Sequence, residues 1–368
     1  MVEDPYRWLE DGSSAETRAW TEQENALTAK VLGAYPGRAE LRARLKQLYS
    51  IPGVGVFSPH AGHYFQTRRD GLQNHSVTYV SDGAWIAPRR VALDPNKFSS
   101  DGTTALDWSY TSPDAGLIAY GKSSSGDEQS TLYVRDVRTG RDLPEAIPRT
   151  REASVCWDAD GKGFSYGRNP EKGQVPNGEE VFHLRIFHHR LGADWHTDSL
   201  LWGGEGKPIQ EFRSASPSSD FRWQFLTTSL DWAMNDLYIR RNASSEPFRP
   251  VAVGLDGEIG GDVFDGKLYL RTNINAPRYH VVVTDPEHPE PSNWKEIIPQ
   301  FAGVLESMDI VGGKLVILTA KAAVSHLLIF GLDGQEEREI PMPTLGTVGG
   351  VTGEPGRPEM FYSFTSLT

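Results

Sequence analysis

The feature that most constrains the fold of this chain is a strand pattern that recurs from about residue 52 to its end. In each copy, a turn of small or charged residues leads into a strongly apolar strand. The copies lie 45 to 59 residues apart and are centred on Tyr64, Leu117, Phe164, Trp223, Leu268, Leu315 and Phe361. Recurrence at a period of this length is typical of repeat architectures.

Further short strands surround each apolar strand. One follows it, as in "STLYVRDVRTG", one precedes it, as in "ALDWSYTSPD", and a weaker fourth often comes last. Four antiparallel strands per unit are typical of a β-propeller blade, whereas a β-sandwich does not explain regular copies. The pattern therefore predicts an all-β, seven-bladed β-propeller. Its last blade is expected to be incomplete, because the seventh copy reaches only "EMFYSFTSLT" before the chain stops.

The first 50 residues have a different, helical pattern. Ser13 or Ser14 can cap a first helix, "YPG" interrupts the run, and a second helix follows. Apolar residues recur at helical spacing in both, at Trp20, Leu27, Val31, Leu41, Leu45 and Leu48. We expect a helical segment at 1–50 and the propeller at 51–368. So small a helical pair needs a second surface to cover its apolar side chains.

Composition and charge exclude several functions. A net charge of −12, with basic residues scattered, argues against nucleic acid as a partner. No run of 18 apolar residues indicates a membrane span, and "MVEDPYRWLED" lacks the apolar core of a signal peptide. We therefore expect a cytoplasmic protein, with a periplasmic location left open. Cys156, the one cysteine, is interpreted as a small core residue.

No metal or cofactor site is expected. His188 and His189 are adjacent in a strand pattern, so their side chains point to opposite faces and do not easily share one metal ion. His60 and His63 flank a turn without a third ligand at a useful spacing. All ten histidines are interpreted as structural.

Several stretches resemble the prolyl oligopeptidase family of serine peptidases. They are "EDPYRWLED" with "YPGRAELRARLKQLY", "VCWDADGKGFSYGRNP", "DPEHPEPSNWKEIIPQ" and "EMFYSFTSLT". The resemblance covers essentially the whole chain. It implies a partner, a C-terminal α/β-hydrolase domain that cleaves short proline-containing peptides after proline. The propeller would cap the active site, excluding folded proteins and admitting peptides.

The catalytic residues of that family are not expected in this chain. Its nucleophile would occupy a G-x-S-x-G elbow, and the nearest imitation, "GKSSSGD" at 121–127, lacks the required glycines. By resemblance, the catalytic Ser, Asp and His would lie beyond residue 368. The chain alone is therefore expected to be inactive, since a triad needs all its members.

Loop positions suggest which propeller residues could face substrate. In an antiparallel blade, the loop between the second and third strands shares a face with the link to the next blade. By resemblance to the family, this face covers the active site, and Asp127, Glu152, Phe212 and Trp232 lie where relatives line the cavity or contact the catalytic domain. Phe212 and Trp232 could supply apolar walls, and Asp127 could pair with a cation across the interface. Glu152 and Trp232 stand where the family often has other side chains.

Two alternatives remain at this stage. The chain could be a free-standing propeller that binds a peptide or protein without catalysis. It could also be a propeller enzyme with a site in its own channel. The second is the weakest, because no His, Asp and Glu cluster recurs at equivalent blade positions.

Overall fold

The computed structural model describes residues 4–204 and 206–367. Contacts divide the chain into two compact units. One runs to Gly53 and includes Asp70–Gln73, and the other comprises Val54–Arg69 and the chain from Asn74 onward. The division into a helical segment at 1–50 and a propeller domain at 51–368 stays a prediction.

The first unit contains two α-helices, α1 (Ala15–Gly33) and α2 (Arg38–Tyr49), after a 3₁₀ turn at Arg7–Glu10. Ser14 caps α1, because its hydroxyl accepts a hydrogen bond from the backbone N–H of Thr17 at 3.0 Å. Thr17 is the one buried residue that the two helices contain. Their apolar side chains are therefore not covered. Neither they nor any other helix of the described chain is long and apolar enough to cross a membrane.

The second unit is built from consecutive antiparallel sheets, which we number as blades in chain order. Blade 1 contains β1 (Gly53–Val54), β2 (Ser58–His60), β3 (His63–Arg69), β4 (Val77–Asp82) and β5 (Arg89–Leu93). Blade 2 contains β6 (Thr104–Thr111), β7 (Leu117–Ser124), β8 (Thr131–Asp136) and β9 (Asp142–Ile147). Blade 3 contains β10 (Val155–Trp157), β11 (Gly163–Arg168), β12 (Arg185–Arg190) and β13 (Ser199–Trp202).

The later blades repeat this order. Blade 4 contains β14 (Phe212–Pro217), β15 (Trp223–Ser229), β16 (Asp236–Arg241) and β17 (Arg249–Ala252). Blade 5 contains β18 (Ile259–Phe264), β19 (Lys267–Thr272), β20 (His280–Thr284) and β21 (Lys295–Ile298). Blade 6 contains β22 (Val304–Val311), β23 (Lys314–Lys321), β24 (Val324–Phe330) and β25 (Glu336–Ile340). A separate two-stranded sheet follows, made of β26 (Thr347–Gly353) and β27 (Met360–Thr365).

The core lies between neighbouring sheets, because alternate side chains of a strand point to opposite faces. On β19, Leu268 and Leu270 join a buried cluster with blade 4, whereas Tyr269 between them joins a cluster with blade 6. Cys156 is fully buried in the cluster between blades 3 and 4, as predicted. Burial raises the pKa of its thiol, which suits a core residue.

The predicted number of blades is wrong. The structure is a propeller with six blades, not seven; blade 1 has five strands and the other blades four, and the seventh copy of the pattern forms only the two-stranded sheet. The pattern marks the second strand of each blade, which is apolar because it is buried on both faces. The seventh such strand, β27, pairs with β26 alone among the described residues and is only half-buried. The count of apolar strands therefore exceeded the number of complete blades by one, because β27 carries the pattern without belonging to a complete blade.

The two-stranded sheet contacts blade 1 as well as blade 6. The Phe361 ring lies 5.4 Å from that of Phe57 and 6.1 Å from that of Tyr64, between ring centroids. The buried hydroxyl of Tyr64 donates a hydrogen bond to the Glu359 carboxylate, and Thr352 donates one to the Phe57 carbonyl. These contacts join the last described strands of the propeller to its first blade.

We expect Tyr64→Phe to weaken this junction. Removing the hydroxyl takes a buried donor from the Glu359 carboxylate, which is itself exposed and can be solvated by water, so the free energy of unfolding should fall by about 0.5–1.5 kcal/mol. Thermal unfolding followed by circular dichroism would measure the change. Tyr269→Phe is the matched control, because Tyr269 is equally buried and its hydroxyl has no hydrogen-bond partner among the described residues. Equal loss in both variants would contradict the proposed role of the Tyr64 hydroxyl.

Candidate functional site

One face of the propeller carries the loops between second and third strands and the links between blades. We call it the first face. The first face includes three loops within blades, at residues 125–130 of blade 2, 169–184 of blade 3 and 230–235 of blade 4. It also includes two links between blades, residues 148–154 and the link between β13 and β14. The antiparallel order of the strands places these loops on one face. They contain Asp127, Glu152 and Trp232, and the link between β13 and β14 ends at Phe212.

The link 148–154 has an unusual backbone. Arg149 and Glu152 adopt left-handed backbone conformations, with φ of +61° and +52°, which residues other than glycine seldom adopt. Thr150 between them is fully buried, and both its N–H and its hydroxyl donate to the Ser130 carbonyl at 3.0 Å. The Trp108 indole N–H donates to the Thr150 carbonyl at 3.2 Å. The surrounding blades thereby fix the position from which Glu152 projects.

Glu152 and Phe212 line the same cleft on the first face. Its volume is about 380 Å³, within the range of small-ligand sites. The other lining residues come from blades 3 and 4 and the links around them: Arg151, Asn169, Val181, Phe182, Leu184, Ile209, Gln210, Glu211 and Leu230. The structure thus brings together two of the four predicted residues.

Trp232 extends the apolar wall of this cleft. Its ring centroid is 6.0 Å from that of Phe212, at an interplanar angle of 37°. The side chain of Trp232 is 90% exposed, and those of Phe212 and Leu230 are 50% and 63% exposed. Large apolar side chains clustered on a surface mark sites of protein or ligand contact.

Beneath the cleft, Arg213 holds the approaching chain segments together. This arginine is almost fully buried and forms an ion pair with Glu211. It also donates hydrogen bonds to the carbonyl groups of Leu184 and Pro208. A buried guanidinium that meets several acceptors stabilises a fixed arrangement, so the base of the cleft is well defined.

Arg151 separates this cleft from a second one on the same face. The second cleft, of about 500 Å³, also contains Glu152 and is bordered by Trp108 and Tyr110 of blade 2. Arg151 is 2.7 Å from the Glu128 carboxylate and 3.8 Å from that of Glu152. The Arg151 Nε is buried, and no residue that the structure describes accepts a hydrogen bond from it. Charge near the two clefts is therefore mixed rather than uniformly acidic.

Asp127 stands apart from the other predicted residues. It is exposed, its carboxylate accepts a hydrogen bond from the Gln129 N–H at 2.9 Å, and it lines neither cleft. Its neighbour Glu128 makes the ion pair with Arg151 instead. The predicted contact of Asp127 with a cation across an interface stays a prediction, as do the roles of Glu152, Phe212 and Trp232.

Sequence reasoning missed Arg151 and Leu230. Both are next to or near predicted residues, in "TREAS" and "TTSLDW", so the correct loops were identified. What the sequence did not indicate was which side chain of each loop turns into the cleft. For Arg151, that orientation depends on the left-handed conformations at Arg149 and Glu152, which no glycine marks.

The first strands of the blades border a further space of about 570 Å³, which contains Asp262 of β18 and Asp309 of β22. Burial raises the pKa of both carboxyl groups, and each pKa is raised further by a nearby aspartate, Asp220 for Asp262 and Asp262 for Asp309. Hydrogen bonds from Ser219 and Ser307 oppose these shifts. Within residues 4–204 and 206–367, no group of three or more His, Cys, Asp or Glu side chains is arranged to hold a metal ion.

The comparisons with known proteins agree with the fold and identify the family. The family model described as the N-terminal β-propeller domain of prolyl oligopeptidase matches residues 1–368. The chain therefore belongs to this family, which confirms the resemblance found in the sequence.

Similar proteins include the prolyl endopeptidase of Elizabethkingia miricola, 30% identical over 100% of this chain and 52% of its own length. Prolyl oligopeptidase A of Amanita bisporigera is 28% identical, with the same coverage. A prolyl endopeptidase solved in a study of inter-domain dynamics in catalysis and specificity has a TM-score of 0.91, 30% identity, and coverage of 99% of this chain and 54% of its own. The chain thus spans about half the length of the curated relatives it matches.

We expect Asp309→Asn to stabilise the protein at neutral pH. A carboxyl group whose pKa is raised by folding stabilises the folded state most when protonated, and that contribution is lost as pH rises through the folded pKa. At pH 7 the buried Asp309 carboxylate is destabilised by its charge, and the uncharged asparagine removes that cost. Below the ordinary pKa of aspartate, about 3.9, the carboxyl group is protonated in any case, so the variant gains nothing. Its melting temperature should exceed that of the wild type at pH 7, and the gap should narrow towards pH 4. A gap independent of pH would contradict the expectation.

Proposed function

We propose that this chain is the substrate-gating propeller of a prolyl oligopeptidase-like serine endopeptidase that cleaves short peptides after proline. In this proposal, an α/β-hydrolase domain paired with the propeller supplies the Ser, Asp and His of the reaction. The residues of the first face bind and orient peptides and carry out no bond-breaking step. A cytoplasmic location, expected from the sequence, belongs to the same proposal.

The observation that carries the proposal is the apolar cluster beside the cleft on the first face. Trp232, Phe212 and Leu230 expose large apolar side chains next to the charged pair of Arg151 and Glu152. A hydrophobic wall with a few polar groups at its edge suits a short peptide, whose backbone needs hydrogen-bonding groups and whose prolyl ring needs an apolar surface.

The helices of the first unit favour the enzyme part over a free-standing binding module. Trp20, Leu27, Val31, Leu41, Leu45 and Leu48 are all exposed. Short helices gain most of their stability from packing an apolar face, and covering these side chains would bury a substantial apolar area. A second domain that contacts them would provide that cover.

The relatives support the same proposal. Curated proteins of about twice this length are prolyl endopeptidases and oligopeptidases. The prolyl oligopeptidase B of Galerina marginata, 21% identical, has been solved bound to a 35mer hydrolysis and macrocyclization substrate. At that identity its TM-score of 0.86 supports the fold alone.

The chain alone is expected to be inactive. It contains no G-x-S-x-G elbow, so a proline-specific fluorogenic peptide should show no turnover above the buffer background. The assay requires a preparation freed of contaminating peptidases by a second chromatographic step. Turnover that co-elutes with the pure chain would contradict the proposal that catalysis belongs to a paired hydrolase domain.

In the active protein that carries this propeller, we expect Phe212→Ala to weaken peptide binding. Phe212 is half exposed, so its removal should leave the fold intact while taking away part of the apolar wall. Loss of this contact should raise KM or lower kcat/KM about 3- to 10-fold. The measurement is steady-state hydrolysis of a fluorogenic peptide with at least four residues before the scissile bond.

Ile86→Ala is the control for Phe212→Ala. Ile86 is 75% exposed and lies in the connection between β4 and β5, on the face opposite the clefts. It should leave kcat/KM unchanged. If both variants behaved as the wild type, the cleft would not be part of the peptide path, even though the propeller could still belong to a peptidase.

A further inference from the structure

A groove between blades 3 and 4 lies away from the first face. Its volume is about 610 Å³, and it is lined by His188 of β12, by strand β13, by Arg240 of β16 and by the connection 243–248. That connection joins the third and fourth strands of blade 4, so it belongs to the face opposite the one with Phe212 and Glu152. The groove is therefore separate from the candidate peptide clefts.

Arg240 is the unusual member of this groove. The residue is only 5% exposed, yet no carboxylate of the described chain lies within ion-pair distance of its guanidinium. Its one hydrogen bond within the described residues runs from Nε to the Gln224 side-chain oxygen at 2.8 Å. The Phe248 ring, whose centroid is 4.5 Å away, adds a cation–π contact. The comparably buried Arg213, by contrast, has Glu211 and two carbonyl groups.

Two acidic groups lie at the groove, and each has a basic neighbour other than Arg240. Both carboxylate oxygens of Asp158 face the His188 Nε2, at 2.9 and 3.1 Å. Glu246, which lines the groove at its exposed edge, lies 3.7 Å from Arg249. Burial lowers the pKa of the Arg240 guanidinium, but an arginine stays charged at neutral pH. The groove thus contains a buried cation with unused donors, an arrangement that is costly unless an anion completes it.

The rest of the lining indicates what kind of anion would fit. Trp202, Phe248 and Leu200 supply apolar surface, and the Trp202 indole N–H is a buried donor that meets no acceptor in the described part of the chain. The hydroxyl groups of Ser199 and Ser245 border the same space. Inorganic anions would use the donors but not the apolar walls, whereas an organic carboxylate would use both.

We propose that this groove binds an organic carboxylate with an adjacent apolar group, such as the C-terminal end of a short peptide. The carboxylate pairs with the Arg240 guanidinium, which can donate two parallel hydrogen bonds to it. The apolar group contacts Trp202 and Phe248. The site is independent of the proposed peptidase activity, because it lies on the opposite face and shares no residue with either cleft.

N-acetyl-phenylalanine is a suitable probe, and N-acetyl-phenylalanine amide is its uncharged counterpart. Titration calorimetry with the full chain should give a Kd on the order of 1 mM for the acid and at least about 10-fold weaker binding for the amide. Arg240→Met should weaken binding of the acid by about the same factor. Arg222→Met is the matched control, because Arg222 is exposed and borders no part of the groove; it should bind like the wild type.

Thermal unfolding without ligand separates a loss of binding from a loss of the fold. Arg240→Met leaves the buried Gln224 side-chain oxygen without its donor, so the free variant should melt about a few degrees below the wild type and still be folded at the temperature of the titration. The acid should raise the melting temperature of the wild type and not that of the variant. Equal binding of acid and amide, or unaltered binding of the acid by Arg240→Met, would overturn the proposal. If Arg240→Met is unfolded at that temperature, Arg240→Lys replaces it, because lysine keeps the charge but cannot donate two parallel hydrogen bonds to a carboxylate; it should bind the acid more weakly than the wild type, and equal binding would overturn the proposal.

Discussion

The structure depends on one repeated constraint, the burial of the second strand of every blade between two neighbouring sheets. Because side chains alternate along a strand, β19 contributes Leu268 and Leu270 to one interface and Tyr269 to the other. Each fully buried side chain of this size contributes about 1.5–3 kcal/mol relative to an exposed one. No blade has a core of its own, so each sheet is stable only beside its neighbours.

This constraint explains what the sequence could predict. A strand buried on both faces must be largely apolar, so it stands out in the sequence, and its recurrence revealed the propeller. The edge strands, such as the exposed β25, carry a weaker signal. The number of blades could not be read from the second strands alone, because Phe361 resembles Phe164 in sequence while β27 is half-buried and has one partner in the described chain.

The candidate site was predictable by loop but not by side chain. Antiparallel topology assigns each loop to a face, and this placed Glu152, Phe212 and Trp232 on one face from the sequence. It did not separate Asp127, which lines no cleft, from its neighbour Glu128, which pairs with Arg151. Orientation within a loop depends on long-range contacts such as those of Thr150 with Ser130 and Trp108, and no local sequence pattern records them.

Two buried arginines, Arg213 and Arg240, differ in how the surrounding chain uses their charge. Arg213 is surrounded by acceptors from its own chain, so its charge is used internally, to fix the segments under the cleft. Arg240 occupies an equally buried position elsewhere on the same interface between blades 3 and 4, where Gln224 accepts a single hydrogen bond and the Phe248 ring lies against the guanidinium. Interface packing tolerates both, because most of its stability comes from the apolar strands. Because the apolar packing does not depend on the Arg240 guanidinium, this group can bind a ligand from solvent, as we propose.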